Sequence, residues 1–317
     1  MKPQDLKVSV IIPVRNDSKR LEVCLASLNR LPNSPEIVVV DNGSTDNSAL
    51  VAEAMGAVTL IYPELRVGAL RNRGVEHCSG DVLAFVDSDH EVPEDWLERG
   101  LETLSEAKDV VACGSYCLAP ENGTWVQKTW AIHRLRGPVR VDSIEWLGSG
   151  NLFVLRSAFE SIGGFRENLT ASEDVDLCHR LVQTSGRIVA DKGIRNVHHG
   201  EPKTLLEFIR KEYWRGSSGM KAWILQGFPV RDLPSFLWPL WHAGFFLITL
   251  SLLGIVSFRP SSLGFFVLLA SFGLLLTPSI LLAIKTCAQE QRLSDIHRLA
   301  ILYFVYGMTR AAALFKT

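Results

Sequence analysis

The chain has 317 residues, a formal net charge of -1 and a hydrophobic content of 47%. This length is enough for one large α/β domain and a smaller second part. A charge near zero gives no reason to propose a nucleic-acid partner, although basic residues could still cluster locally. The mean hydropathy of +0.14 is high for a soluble protein, and the uninterrupted apolar sequence lies mostly after Asp232.

Strands and helices alternate along the first half of the chain. Runs of apolar and β-branched residues predict strands at 8–13, 36–40, 58–62 and 82–86. Helical spacing and helix-start signals predict helices at 21–28, 48–55, 71–78 and 93–104. This alternation predicts an α/β fold whose sheet is mostly parallel and flanked by helices, with a site at the carboxyl ends of the strands.

Two carboxylates follow the fourth predicted strand. Asp87 and Asp89 are separated only by Ser88. Two hard oxygen ligands at the mouth of a sheet suit a site where a divalent ion meets a phosphate. An isolated D-x-D triplet is as often a turn or a helix cap, so its meaning depends on the rest of the chain. A dinucleotide-binding domain is disfavoured, because no G-x-G-x-x-G follows the first strand.

Five segments together resemble family 2 glycosyltransferases with the GT-A fold, of the bacterial, membrane-anchored type. They occur in the order and at roughly the spacing of that family, at 9–17, 38–48, 68–74, 81–90 and 172–180. The resemblance covers about residues 7–200. It implies inverting transfer of a sugar from a nucleotide-sugar donor, assisted by Mg²⁺ or Mn²⁺.

The first group of residues is assigned to the nucleotide. Asp41 ends the second strand, where its carboxylate could accept the imide N–H of a uracil or simply cap the turn at Gly43. The resemblance suggests that Pro13 and Arg15 form the other wall of the base pocket. Arg71 lies in a segment that packs beside the base and phosphates in relatives, and an arginine there can donate to phosphate. The alternative is a solvated helix arginine.

The second group is assigned to the metal. A diphosphate leaving group needs its developing charge neutralised. In relatives the last Asp of the D-x-D is the direct ligand, which maps to Asp89, while Asp87 would reach the ribose or a metal-bound water. Ser88, between them, is assigned to the nucleotide site. In relatives a histidine often completes the set of metal ligands. We expect this histidine to be His198, which follows the apolar, strand-like stretch 194–197. His199 stays an alternative.

The third group is assigned to catalysis. An acceptor hydroxyl ionises far above neutral pH, so displacement at the anomeric carbon benefits from a positioned base. Glu173 and Asp174 resemble the family's E-D motif, in which the Asp is the general base, and this role maps to Asp174. Glu173 and Asp176 would shape the site or cap a helix predicted at 175–184.

The last part of the chain predicts membrane helices. Residues 233–258 and 261–284 contain no Asp, Glu, Lys or Arg and are long enough to cross a bilayer. Only Arg259 lies between them, whereas Lys285, Arg292 and Arg298 follow the second span. This asymmetry predicts that the catalytic domain lies on the cytoplasmic side. The resemblance to the bacterial family implies that the membrane is a bacterial inner membrane. The apolar stretch 299–309 is too short to span, and could lie at the interface or belong to an imperfect third span.

These patterns predict three regions. Residues 1–202 form the glycosyltransferase domain, 203–232 an amphipathic linker and 233–317 the membrane region. The linker mixes aromatic and basic residues, as is typical of a helix at the lipid headgroups, although it could also pack on the domain. We therefore expect a membrane-associated, lipid-linked acceptor. A soluble acceptor, or a non-catalytic scaffold that binds nucleotide sugars, are the alternatives.

Overall fold

The computed structural model describes residues 6–184, 186–225 and 233–314. These residues form two compact units. The first unit contains the chain up to Pro120 and Pro138–Glu201, and the second contains Glu121–Gly137 and the chain from Pro202 onwards. The segment Glu121–Gly137 thus belongs to the second unit, although it lies inside the region 1–202. Residues 226–232 of the linker lie outside the described residues.

All the described strands lie in the first unit. They are Val8–Val14 (β1), Glu36–Asp41 (β2), Val58–Ile61 (β3), Val82–Val86 (β4), His90–Glu91 (β5), Val110–Gly114 (β6), Arg140–Ile144 (β7), Asn151–Leu155 (β8), Arg187–Asp191 (β9) and Val197–His198 (β10). The described helices are Ser18–Leu28 (α1), Ser48–Ala54 (α2), Val67–Glu76 (α3), Trp96–Ser105 (α4), Trp125–Arg134 (α5), Arg156–Ser161 (α6), Glu173–Thr184 (α7), Leu205–Leu225 (α8), Leu233–Phe258 (α9), Ser262–Gln289 (α10) and Ile296–Leu314 (α11).

Within the described residues, eight strands form one mixed sheet in the order β3-β2-β1-β4-β8-β6-β9-β7, and β5 pairs with β10. The pairs β3/β2, β2/β1, β1/β4 and β6/β9 are parallel, whereas β8 runs antiparallel to both of its neighbours. The prediction of a mostly parallel sheet flanked by helices is confirmed.

Burial on both faces explains why the first strands read as continuous apolar runs. Every residue of β1 is buried. Its side chains alternate, so that Val10 and Ile12 pack in the core on one face of the sheet and Ile11 packs on the other.

The sheet topology brings the functional segments to one edge. Since β1, β2 and β4 are parallel, their carboxyl ends lie side by side. The antiparallel strand β8 starts at this same edge, because Asn151 pairs with Val86 at the end of β4. The loop before Asn151 therefore joins the edge, and β5 with β10 extends it.

Several sequence-based boundaries differ from the structure, and two of these differences concern the site. Helix α3 starts at Val67 rather than at Arg71, so Arg71 lies in mid-helix. The stretch 194–197 is not a strand, because only Val197–His198 pairs, with β5. Ile194 is fully buried, so its apolar character reflects core packing of a turn. His198 consequently lies within a strand instead of following one.

The second unit contains two long apolar helices. By length and composition, Leu237–Phe258 of α9 and Ser262–Gln289 of α10 could each cross a membrane. Most of their apolar side chains are exposed, unlike those of a core helix in a soluble protein. Helix α11 packs against α8, α9 and α10.

Candidate active site

Asp41 lies at the end of β2 and is almost completely buried. Its Oδ1 accepts a hydrogen bond of 2.6 Å from the Ser44 backbone N–H. Its Oδ2 is buried and has no hydrogen-bond partner among the described residues. An unpaired buried carboxylate oxygen is costly, so this atom is suited to receive a ligand N–H.

The loop after β1 is tied to the loop after β2. The Asn16 N–H donates to Ser44 Oγ at 2.9 Å, and the Thr45 N–H donates to Asn16 Oδ1 at 2.7 Å. Pro13 is buried in β1, and Arg15 is exposed next to these hydrogen-bonded loops. The residues assigned from the sequence to the base pocket therefore lie next to each other.

Arg71 connects three elements of the site. From mid-helix α3 it donates to Asp87 Oδ1 at 2.7 Å and to Glu173 Oε1 at 2.9 Å. Its guanidinium is buried and lies 5.5 Å from the centroid of the Phe165 ring. Arg71 thus fixes the D-x-D segment relative to the start of α7, since it neutralises one carboxylate from each.

Asp89 lies between two histidines. Its Oδ2 is 3.1 Å from His198 Nε2, and its Oδ1 is 3.6 Å from His90 Nε2. One possible ligand atom from each of the three residues lies within 4.8 Å of the others, as a shared metal ion requires. Asp89 Oδ1 and His90 Nε2 are buried and form no hydrogen bond with any described residue. The donor set of one carboxylate and two imidazoles fits a divalent ion such as Mn²⁺.

The far nitrogen of each imidazole is held by a second group. His90 Nδ1 faces the Gly150 carbonyl oxygen, and His198 Nδ1 lies 2.9 Å from Glu201 Oε1. Such contacts fix the ring orientation and the tautomer, and they point both Nε2 atoms toward Asp89. The buried Asn196 contacts the same carbonyl group, because its Nδ2–H donates to the Gly150 carbonyl oxygen at 3.1 Å.

Burial and neighbouring charges set the ionisation of this cluster. Burial, assisted by the charge of His198, lowers the pKa of His90 to about 4, so its imidazole is neutral at physiological pH. Burial alone would raise the pKa of Asp89, but the hydrogen bond and charge of His198 outweigh it and lower the pKa. The pKa of His198 is raised, because its bonds to Asp89 and Glu201 outweigh its burial.

Two glycines allow the backbone to approach the cluster. A Cβ at Gly200 would lie 1.7 Å from Asp89 Oδ2, and a Cβ at Gly150 would lie 2.4 Å from His90 Cε1. Any side chain at either position would displace the cluster.

The His199 side chain lies away from the Asp89 carboxylate, although the His199 backbone N–H donates to the Asp89 carbonyl oxygen at 2.8 Å. Its Nε2 is 2.9 Å from Glu91 Oε2. His198 is the last residue of β10 and His199 follows it, and the two side chains contact different carboxylates. Of the two histidines, His198 is the one beside the D-x-D motif.

Asp174 lies in the first turn of α7. A Cβ built on Gly148 would lie 3.7 Å from its Oδ2, so the loop before β8 passes over the carboxylate. Burial first, and then the adjacent charge of Glu173, raises the pKa of Asp174 to about 6. Asp176 instead pairs with Arg166 at 2.8 Å and with Arg180 at 2.7 Å, which stabilises the helix and its preceding loop.

Three residues of the cluster were not found from the sequence. His90, Asn196 and Glu201 were not assigned to the site. His90 directly follows Asp89, and a histidine beside a D-x-D was the signal that could have revealed it. Asn196 and Glu201 flank the two histidines, but nothing in the sequence shows that they reach the imidazoles.

The fold and this edge define a GT-A nucleotide-sugar transferase. Residues 9–163, just under half of the chain, match the family described as "Glycosyl transferase family 2", so this segment is a domain of that family. It is similar to glycosyltransferase AglE of Haloferax volcanii, with 28% identity over 234 residues, 71% of this chain and 76% of that protein. It is also similar to the pre-mycofactocin glycosyltransferase of Mycobacterium tuberculosis, with 29% identity over 69% of this chain and 48% of that protein. The alignment thus spans about half of the second relative.

The solved structures agree on the fold. Mannosyltransferase PcManGT from Pyrobaculum calidifontis, in complex with GDP-Man and Mn²⁺, superposes with a TM-score of 0.64 at 15% identity, over 99% of this chain and 90% of that one. GalNAc-T7, solved with UDP, GalNAc and Mn²⁺, gives a TM-score of 0.50 at 18% identity, over 67% of this chain and 50% of that one. At these identities the likeness concerns the fold.

Proposed function

We propose that this enzyme is a membrane-anchored, metal-dependent inverting glycosyltransferase. It moves a sugar from a UDP-sugar to a lipid-linked acceptor in glycan or glycolipid synthesis. The observation that carries the proposal is the single edge that holds Asp41, the Asp89–His90–His198 cluster and Asp174. Each of the three has the chemistry that one part of the reaction needs.

The free oxygen of Asp41 supports a uracil base. Ser44 N–H already occupies Oδ1, and the unpaired Oδ2 can accept the single imide N–H of uracil. Guanine presents two adjacent N–H donors, which one free oxygen matches less well. Pro13 and Arg15 border the same pocket.

Asp89, His90 and His198 would hold the metal ion. Mixed oxygen and imidazole donors favour Mn²⁺ over Mg²⁺, which prefers oxygen ligands. A bound ion supplies positive charge that stabilises the diphosphate as it leaves. Asp87, held by Arg71 through a bond of 2.7 Å, would orient the ribose or a metal-bound water.

Asp174 would take the proton from the acceptor hydroxyl. A carboxyl group whose pKa is raised to about 6 is still mostly ionised at neutral pH, and it is a stronger base than an ordinary aspartate. Glu173 keeps Arg71 in place and so maintains the distance between the base and the D-x-D segment.

The second unit supports a membrane-associated acceptor. Helices α9 and α10 have the length and composition of spans, and α8 carries the basic residues Arg210, Lys211 and Arg215. Cations beside apolar spans suit lipid phosphates. The distribution of basic residues favours a cytoplasmic catalytic unit, where nucleotide sugars are made.

The test is hydrolysis of a panel of UDP- and GDP-sugars by purified enzyme, with and without Mn²⁺ and a membrane lipid extract. We expect one UDP-sugar to be hydrolysed only with Mn²⁺, and the lipid extract to divert its sugar into an extractable product. Folded Asp174→Asn is the control, because it should bind UDP but not turn over. Nucleotide-sugar binding without turnover in the wild type would favour the scaffold alternative, and transfer only to soluble sugars would favour a soluble acceptor.

A further inference from the structure

We propose that Trp146 and Tyr116 form a platform for a sugar ring of the acceptor. The reacting hydroxyl then belongs to a glycan, and not to a bare lipid phosphate. This inference rests on the proposed function and specifies its acceptor.

Trp146 is exposed in the loop before β8. Its side chain is 39% exposed, whereas Leu147 next to it is fully buried. Leu147 packs in the core with Leu177 of α7, and its carbonyl oxygen accepts the Cys178 thiol at 3.6 Å. The backbone at Leu147 is therefore anchored to the core, while the adjacent indole is open to solvent.

Tyr116 fixes the orientation of this indole. The two rings meet edge to face, with centroids 6.5 Å apart and an interplanar angle of 87°. This geometry is favoured for aromatic pairs. The Tyr116 ring also packs against the core below, so the pair is preorganised while part of the indole stays open to solvent.

The platform lies beside the proposed base. Gly148 comes two residues after Trp146, and a Cβ there would lie 3.7 Å from Asp174 Oδ2. Two residues span at most about 7 Å, which is comparable to the width of a sugar ring. A ring held by Trp146 would therefore present a hydroxyl near the carboxylate of Asp174.

The chemistry of an indole selects the ligand. A pyranose has a face of C–H groups, and these pack against the negative π face of an aromatic ring. Its hydroxyls stay at the rim, where one can reach Asp174. A phosphate would gain little here, because an indole offers it one N–H donor and no positive charge.

The first experiment is kinetic and uses the full chain in detergent. The UDP-sugar that the wild type hydrolyses fastest is the donor, and a membrane lipid extract supplies the acceptor. Trp146→Ala should raise the KM for the extract at least tenfold while the KM for the donor stays near the wild-type value. Trp146→Phe should recover most of the loss. Trp125→Ala is the matched control, because Trp125 is 38% exposed but belongs to the second unit.

The second experiment measures binding directly. The protein is labelled with 5-fluorotryptophan, and the Trp146 resonance is assigned by its loss in Trp146→Phe. With UDP and Mn²⁺ present, methyl glucoside, galactoside and mannoside are each titrated, and geranyl phosphate serves as the bare lipid phosphate. We expect the Trp146 line to shift with at least one glycoside and not with geranyl phosphate.

The outcomes separate the platform from the proposed function. A shift with geranyl phosphate alone, or none with any glycoside, overturns the platform. An equal rise of both KM values in Trp146→Ala places the indole at the donor sugar and also overturns it. A wild-type enzyme that hydrolyses no nucleotide sugar refutes the proposed function itself.

Discussion

His198 and His199 are neighbours in sequence, but their side chains contact different carboxylates. His198 lies 3.1 Å from Asp89, and His199 lies 2.9 Å from Glu91. Both histidines contact a carboxylate, so charge alone does not distinguish them. The two histidines differ in their surroundings. The His198 side chain is more buried than that of His199, and it lies beside a second imidazole, that of His90.

This difference allows a matched test of the metal site. His198→Ala should weaken Mn²⁺ binding, in the presence of UDP, by more than the roughly 10- to 100-fold that loss of an outer hydrogen-bond partner costs. Asp89→Ala should abolish it, because the hard oxygen ligand is lost. His199→Ala should retain the wild-type affinity in the same calorimetric titration. Equal losses in the two histidine variants would refute the assignment.

The environment of Asp174 predicts a pH dependence. Burial and Glu173 raise its pKa to about 6, and the more distant Asp87 adds to this while Arg71 opposes it. A base must be unprotonated, so kcat should fall about tenfold per pH unit below about 6 and be level above it. Asp174→Asn should lower turnover by roughly 10² to 10⁴ and leave UDP affinity nearly intact. Near-normal turnover in the folded variant would show that Asp174 is not the catalytic base and serves only to cap the helix.

The same raised pKa has an effect on stability. The folded state favours the protonated form of Asp174, because its pKa is higher there than in the unfolded chain. The protonated carboxyl therefore contributes to stability at pH values below the unfolded-state pKa, and this contribution is lost as pH rises through about 6. Asp174→Asn removes the buried charge and should therefore raise the Tm at pH 7.5, with a smaller gain near pH 4. A lower Tm at pH 7.5 would mean that the carboxylate stabilises the fold.

Between elements, Arg71 is the main polar connection of the site. It joins α3 to β4 and α7 through partners 16 and 102 residues away in sequence. The motif containing Arg71 was recognisable from the sequence, but these partners were not, because no local pattern encodes contacts at such separations. The strands β1, β2 and β4 were predictable, since buried parallel strands read as apolar runs.

The elements that were missed have weaker patterns. The first turn of α3 contains Gly68, and glycine lowers helix propensity, so the start of this helix was placed too late. Strand β10 has two residues, which is too short to show a period. His90 was missed for a related reason, because its contact with His198 depends on the pairing of β5 with β10.

The role of Arg71 can be measured against a neighbour on the same helix. Arg71→Met leaves Asp87 and Glu173 without their cation, and breaking a buried pair costs about 3 to 5 kcal/mol. Because the Asp87 side chain is 39% exposed, we expect the lower end of this range. Arg73→Met is the control, since its pairs with Glu76 and Glu167 are near the surface and are worth about 0–1 kcal/mol. Thermal unfolding followed by fluorescence should separate the two variants, and equal shifts in Tm would contradict the bridging role.

For the whole molecule, the sequence and the structure agree on the two long helices. The uncharged stretch 233–258 coincides with α9, while α10 runs to Gln289, five residues beyond the predicted 284. The additional residues include Lys285. The predicted span ended before this lysine because it was defined as an uncharged stretch, whereas a helix can continue through a charged residue near its end. Helix α11 differs from these two helices, because it mixes apolar residues with Arg298 and Arg310.

The packing of α9 on α10 predicts a membrane hairpin with a defined orientation. Arg259 is the only basic residue between the two helices, whereas Lys285, Arg292 and Arg298 follow α10, so the turn at 259–261 should face away from the cytoplasm. The test uses a cysteine at position 260. Ser261 caps α10, because its Oγ accepts a hydrogen bond from the Gly264 N–H. Pro260→Cys therefore reports on the turn without removing the cap. Cys78 and Cys117 would first be replaced by Ser, because the other four cysteines are buried. A membrane-impermeant maleimide should label Pro260→Cys in right-side-out vesicles and Glu53→Cys, on the exposed surface of the catalytic unit, in inverted ones. Labelling of both positions from the same side would show that the hairpin does not cross the membrane.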